Sequence, residues 1–173
     1  MTIRSLAAVA LGVALALPAL AREGQLYEDR TRGFSTVIPP GWTDPAGGLV
    51  TTSADGSVRC TITAQPVPQT ASMTQDEVNA SMSVYTADIW NRQFFVGGAT
   101  GAVSESGITR LEQYDAPWAR GTITYPNSPT AKFGVLLISA PGKLASVTCT
   151  GEPFAYDKNL YGLTTVLNYL RPL

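Results

Sequence analysis

The stretch that most restricts how this chain can fold is Phe34-Ser35-Thr36-Val37-Ile38-Pro39-Pro40-Gly41-Trp42. Phe34, Thr36 and Ile38 alternate with Ser35 and Val37, so one face carries the larger apolar groups, as in a half-buried strand. Two prolines then remove two backbone donors and push the chain out of both helix and ladder. Gly41 permits a positive φ where a turn is wanted. Trp42 brings a large ring back toward the sheet. The expected result is a hairpin-like corner, with Trp42 opening the next strand.

Upstream of this stretch the chain reads as an address. Arg4 supplies a short positive segment, and Leu6 to Leu17 is an apolar run of about 12 residues, the length of a signal-peptide core. A transmembrane helix needs about 20. Pro18 breaks the run, and Ala19-Leu20-Ala21 matches a small-x-small cleavage site. Residues 1–21 are therefore expected to be a cleaved signal peptide. Cutting after Ala21 leaves 152 of the 173 residues, 22–173, as a single α+β domain. That mature chain carries 11 basic and 13 acidic residues. Such a balance offers no electrostatic footprint for nucleic acid and no basic patch for a membrane. The expected location is periplasmic or secreted, with no membrane insertion after cleavage.

Two cysteines are present, Cys60 and Cys149. In an exported chain an even pair usually bridges. Each sits in a strand-like setting, Val58–Ile62 and Val147–Thr150, and there is no C-x-x-C motif to support a redox role. A Cys60–Cys149 disulfide is expected.

Further along, Ala54-Asp55-Gly56 favours a tight hairpin between Leu49–Ser53 and Ser57–Ala64. Thr74-Gln75-Asp76-Glu77 is a capping box, and Val78, Met82, Tyr85 and Ile89 recur on one helical face. The pattern predicts a helix over 75–95, stopped by Gly97-Gly98. Strands are expected over Ala102–Gln113 and Trp118–Tyr125, joined through Tyr114-Asp115-Ala116-Pro117. Val135-Leu136-Leu137-Ile138 is a continuous apolar run, typical of a strand buried on both faces. After Pro141-Gly142 the chain returns along Leu144–Thr150. Asp157 is expected to cap a final helix with Leu160, Leu163, Leu167 and Leu170 on one side. The order of hairpins, helix, hairpins, helix implies a mainly antiparallel sheet of six to seven strands with two main helices packed on it, an α+β sandwich.

A strand ending in Ile-Pro-Pro-Gly-Trp, a mid-chain helix opening in a Thr-x-x-Glu cap, flanking hairpins and a closing helix together resemble the PsbP/Mog1-like group of small domains. Phe34, Pro39, Pro40, Gly41 and Trp42 carry the resemblance. It implies an α/β/α sandwich in a group that includes photosystem accessory subunits, a transport GTPase cofactor and exported bacterial proteins. By implication the chain is a non-enzymatic accessory or binding domain. No functional residue is carried over from the group.

The chemistry available is narrow. The sequence has no histidine, so neither a Ser-His-Asp nor a Cys-His mechanism can be assembled, and imidazole metal ligation is excluded. No phosphate-cradling motif occurs; Gly97–Gly101 follows a helix rather than leading into one. Glu112 and Asp115 lie close in sequence, Asp44, Asp55 and Asp157 sit at expected turns and caps, and Asn79-Ala80-Ser81 matches a glycosylation sequon on a predicted helix. No catalytic residue, metal ligand or cofactor is assigned. Tyr114, Trp118, Arg120 and Tyr125 flank one strand pair, and Trp118, Arg120 and Thr122 share a parity and hence a face. Aromatic and arginine side chains together mark binding hot spots, so these four are the candidate binding residues. The expected function is that of a periplasmic accessory or binding protein meeting a protein partner or small ligand. The alternatives are an inhibitor of an extracellular enzyme, using Gly97–Gly101 or Tyr125–Thr130 as a protruding loop, and a carboxylate-based hydrolase.

Overall fold

The computed structural model describes residues 24–45, 47 and 49–173; the expected signal peptide lies outside them. Among the described residues the chain forms nine strands in two antiparallel sheets, and four α-helices. Strands β1 (Gln25–Asp29), β2 (Phe34–Ile38) and β9 (Arg171–Pro172) make a small sheet in the order β1-β2-β9. The large sheet has the order β3-β4-β8-β7-β6-β5. Its strands are β3 (Val50–Thr52), β4 (Val58–Pro66), β5 (Thr100–Leu111), β6 (Tyr114–Thr124), β7 (Ala131–Ala140) and β8 (Lys143–Gly151). The α+β class expected from the sequence holds, and the expected single sheet is divided in two.

Strand β7 organises the layers. Leu136 and Ile138 enter a core on one face, with Val58, Ile62, Val147 and Phe34. Val135 and Leu137 enter a second core on the other face, with Trp90, Ile123 and Phe133. The unbroken apolar run is thus divided by side-chain alternation between two cores. Helices α3 (Pro153–Lys158) and α4 (Leu160–Asn168), with the small sheet, cover the first face. Helices α1 (Gln75–Ser81) and α2 (Ala87–Phe94) lie against β5, β6 and β7 on the second.

Cys60 and Cys149 stand directly opposite one another on β4 and β8 and form a disulfide, fully buried, across 89 residues of sequence. A cross-link spanning a loop of that length restrains the unfolded chain by a nominal ~4 kcal/mol.

The proline-glycine corner turns as expected but leads elsewhere. Trp42 N–H donates to the Pro39 carbonyl at 3.1 Å, and Gly41 has φ +79°. The chain then crosses from the small sheet to the large one, so the corner is not a hairpin and Trp42 opens no strand. The indole lies instead on α4, where a Cβ at Gly162 would stand 2.7 Å from the ring. The glycine that weakens the helix locally is what lets the helix meet the tryptophan.

Three further expectations are corrected. The helix predicted over 75–95 opens with the Thr74–Glu77 capping box, but it breaks into α1, a 3-10 turn at Met82–Val84, and α2. Ser81 and Ser83 hydroxyls bond back to the carbonyls of Val78 and Ala80, competing with helical continuation. Tyr114–Pro117 is strand rather than connection: the turn is Glu112-Gln113, with Glu112 at φ +59°. Pro117 pairs only with Ile108 of β5, because the pairing with β7 begins at Trp118, so no ladder bond is lost. Asp157 is not a cap. Glu152 caps α3 through the Ala155 N–H at 3.1 Å, with Pro153 at the first helical position, and the chain rekinks at Asn159 before α4.

Candidate functional site

The seam between β5–β7 and α3–α4 is concave. Its floor comes from the β6 parity Trp118–Arg120–Thr122 and from Gly134 and Leu136 of β7. Leu163, Val166 and Leu170 pin α4 to the core. Leu160 and Leu167, expected to join them, stay nearer the rim; Leu160 is 45% exposed. The helix therefore meets the sheet along one edge and leaves a gap along the other.

Two chambers occupy that gap, and they share Arg120, Tyr156 and Leu160. One, of about 320 Å³, is walled mainly by Trp118, Leu136, Leu163 and Leu167. The other, of about 300 Å³, is the charged chamber, carrying Glu105, Arg120, Lys132 and Asp157. Arg120 donates to Glu105 at 2.5 Å and Lys132 to Asp157 at 2.6 Å. A β-bulge in β5 between Val103 and Glu105 sets Glu105 directly opposite Arg120 and leaves Ser104 to bond the Arg120 carbonyl.

Tyr156, from α3, stands at the junction of the chambers. Its hydroxyl rests over Gly134, where any Cβ would collide with it. Burial pushes its pKa up to about 12, against the opposing pull of the Arg120 guanidinium. The phenol therefore stays neutral and able to donate at any physiological pH.

The four candidate binding residues are dispersed. Trp118 and Arg120 share the apolar chamber. Tyr114 is packed in the core at the end of β6, 9% exposed. Tyr125 projects into solvent beside the β6–β7 turn. Glu112 and Asp115 do not converge: Glu112 pairs with Arg171 at 2.9 Å and Asp115 with Arg110 at 2.7 Å. Asp44 is exposed in a loop. Asp55 braces its hairpin by accepting from Ser53 and Ser57. Asn79 is buried, with its amide on the Gln113 carbonyl at 2.9 Å, so the sequon is closed to a glycan. Among the described residues no three of Cys, Asp and Glu are grouped to hold a metal ion. Sequence reasoning missed Tyr156, Lys132 and Glu105. The signal for Tyr156 was its pairing with a bare glycine on β7, which only tertiary structure reveals.

A second, more open groove of about 560 Å³ runs along Pro39, Pro40, Trp42, Lys158 and Tyr161. One face of its tryptophan is already taken by Gly162.

No protein-family model and no curated protein matches the sequence. The fold does have counterparts. The solution structure of PsbP from the cyanobacterium Synechocystis sp. PCC 6803 matches at TM-score 0.58 and 13% identity, over 92% of this chain and 96% of that one. The fold is PsbP/Mog1-like. A second match is the Mycobacterium tuberculosis protein LpqN, described as involved in cell envelope biogenesis, at TM-score 0.58 and 8% identity, over 84% of this chain and 88% of that one. A crystal structure from Bacteroides thetaiotaomicron VPI-5482 matches at TM-score 0.55 and 11% identity, over 87% of this chain and 49% of that one. At such identities the PsbP-like likeness is one of architecture.

Proposed function

We propose that this chain is an exported, non-catalytic accessory or binding protein of the periplasm, and that it meets its ligand in the cleft between β5–β7 and α3–α4. The two-chambered cleft carries the reading. A concave, largely apolar site with a few convergent polar groups is the usual form of a small-ligand pocket. The disulfide suits an oxidising compartment, and no described helix is long and apolar enough to cross a membrane. The likeness in fold to a cyanobacterial PsbP and to a protein involved in cell envelope biogenesis is compatible with this reading.

Two measurements test this. Expression of the full chain in a bacterium should release a periplasmic product whose mass begins at Arg22; a full-length product held in the cytoplasm overturns the export reading. The small-molecule fraction of a periplasmic extract should shift the amide resonances of Ala119, Arg120 and Gly134, and Leu160→Glu should abolish those shifts. If the cleft amides stay unmoved, the cleft is not the binding site.

The inhibitor alternative has one observation in its favour. The loops at Gly97–Gly101 and Tyr125–Thr130 lie side by side, with a Cβ at Gly98 falling 3.3 Å from the Pro126 ring. Loss of lysozyme or protease activity on titration with the protein, reversed by Tyr125→Ala, would transfer the function to that end.

A further inference from the structure

The charged chamber is balanced in charge. Arg120 and Lys132 face Glu105 and Asp157 as two ion pairs, one from the β5–β6 ladder and one bridging β7 to α3. A purely anionic ligand would meet two carboxylates, and a cationic one would meet a guanidinium and an ammonium. A zwitterion can exchange partners with both pairs, its carboxylate toward Arg120 or Lys132 and its ammonium toward Glu105 or Asp157. All four side chains are about one-third to three-fifths exposed. Pairs so placed are weakly held and readily replaced. Charge-assisted bonds to both termini would take over what they lose.

The apolar chamber begins at the same residues where the charged one ends, Arg120, Tyr156 and Leu160. The ligand's apolar part must therefore branch directly from its charged part. Trp118, Leu163 and Leu167 offer contact for a branched or aromatic side chain. The neutral Tyr156 hydroxyl, at the junction, can donate to an amide carbonyl. The two chambers, about 300 and 320 Å³, exceed what one amino acid fills. Resting on the cleft reading above, we propose that the cleft binds a short apolar peptide with free termini, its charged ends across the Arg120–Glu105 and Lys132–Asp157 pairs and a side chain against Trp118.

The test is titration of the periplasmic protein, followed by amide resonances and by calorimetry, with four probes. These are leucyl-phenylalanine, the same dipeptide N-acetylated and C-amidated, octanoate, and octyl glucoside. Leucyl-phenylalanine should bind saturably and shift Ala119, Arg120 and Gly134. Capping its termini should weaken binding by at least about tenfold. Arg120→Gln should weaken it by a similar factor, and raised salt should weaken the free dipeptide more than the capped one. Equal affinity for the capped dipeptide, or tighter binding of octanoate or octyl glucoside, overturns the proposal. Should Arg120→Gln fail to give a folded spectrum, the capping comparison on the unaltered protein decides. Shifts from periplasmic extract without shifts from leucyl-phenylalanine overturn this ligand class and leave the cleft as a binding site. Shifts from neither overturn both.

Discussion

The two faces of the large sheet are built from the same strands and finished differently. Over one half of the face covered by α1 and α2, the outer face, α2 lays Trp90 and Phe94 against the sheet, with ring centroids 5.9 Å apart, and Phe94 against Phe133 at 4.5 Å. The rings stack on one another and on the sheet there. On the inner face β7 offers Gly134 where its neighbours offer bulk, and α3 places Tyr156 over it. The helix pair closes at Leu163 and Val166 and stays open at Leu160. Large side chains on both sides of an interface seal it. A glycine opposite a tyrosine, with leucines held at the rim, leaves it concave.

If the outer face is sealed by Trp90, removing that ring should cost far more than removing Trp118 from the cleft floor. Trp90→Ala is expected to destabilise by about 3–5 kcal/mol, as for a fully buried aromatic, and Trp118→Ala by clearly less. Urea midpoints at constant m-value would check this; equal losses would dissolve the contrast. The cross-link belongs to the inner face. Cys60→Ala with Cys149→Ala should lower stability by about 2–4 kcal/mol, measured against the unaltered chain under oxidising conditions. Gly162→Ala tests how tightly that face is locked at the corner. A methyl 2.7 Å from the Trp42 ring should cost about 1–3 kcal/mol through overpacking, relieved in part by Trp42→Phe.

The smallest effects concern pH, and they sharpen the same contrast. Ser53 first, then Ser57, hydrogen-bond the Asp55 carboxylate and hold its pKa well below the ordinary 3.8. A depressed folded pKa contributes stability above the unfolded value and loses it as pH falls through and below that value. Acid should therefore erode stability below about pH 4, and Asp55→Asn should reduce that loss, leaving the part carried by Asp29, Glu77 and Glu112, which are also held low by hydrogen bonds. Tyr156 runs the other way. With its folded pKa raised from 10.0 to about 12 by burial, stability is unaffected below 10 and falls as pH rises toward 12. Tyr156→Phe should remove most of that alkaline loss; burial also raises Tyr85 on the outer face, which leaves a residue of it. Denaturation midpoints across pH 9–12 would measure both.

Much of the layout was legible because its signals are local. The Thr74–Glu77 box caps its helix, the Asp55-Gly56 hairpin turns, and Val135–Ile138 is buried on both faces. Other features carried misleading local signals. The Glu112-Gln113 turn holds neither glycine nor asparagine, and Glu112 takes a positive φ while its carboxylate is paired with Arg171, 59 residues on. The serines at 81 and 83 were outvoted by an apolar spacing that continued past them. Of the candidate site, Trp118 and Arg120 were found by strand parity, which needs no partner element. Tyr114 and Tyr125 share the strand region but not the cleft, because proximity along β6 does not say where the helices stop covering it.

The sequence by itself determined most of the strands, the start of the mid-chain helix at Thr74, the cysteine pair and the absence of imidazole, since composition, period and turn chemistry act over a few residues. Only the tertiary structure decided that there are two sheets, that β9 pairs back with β2 across the whole chain, and that Gly134 and Gly162 face Tyr156 and Trp42. Those outcomes depend on which surfaces meet, and a cleft is the place where two surfaces fail to meet completely.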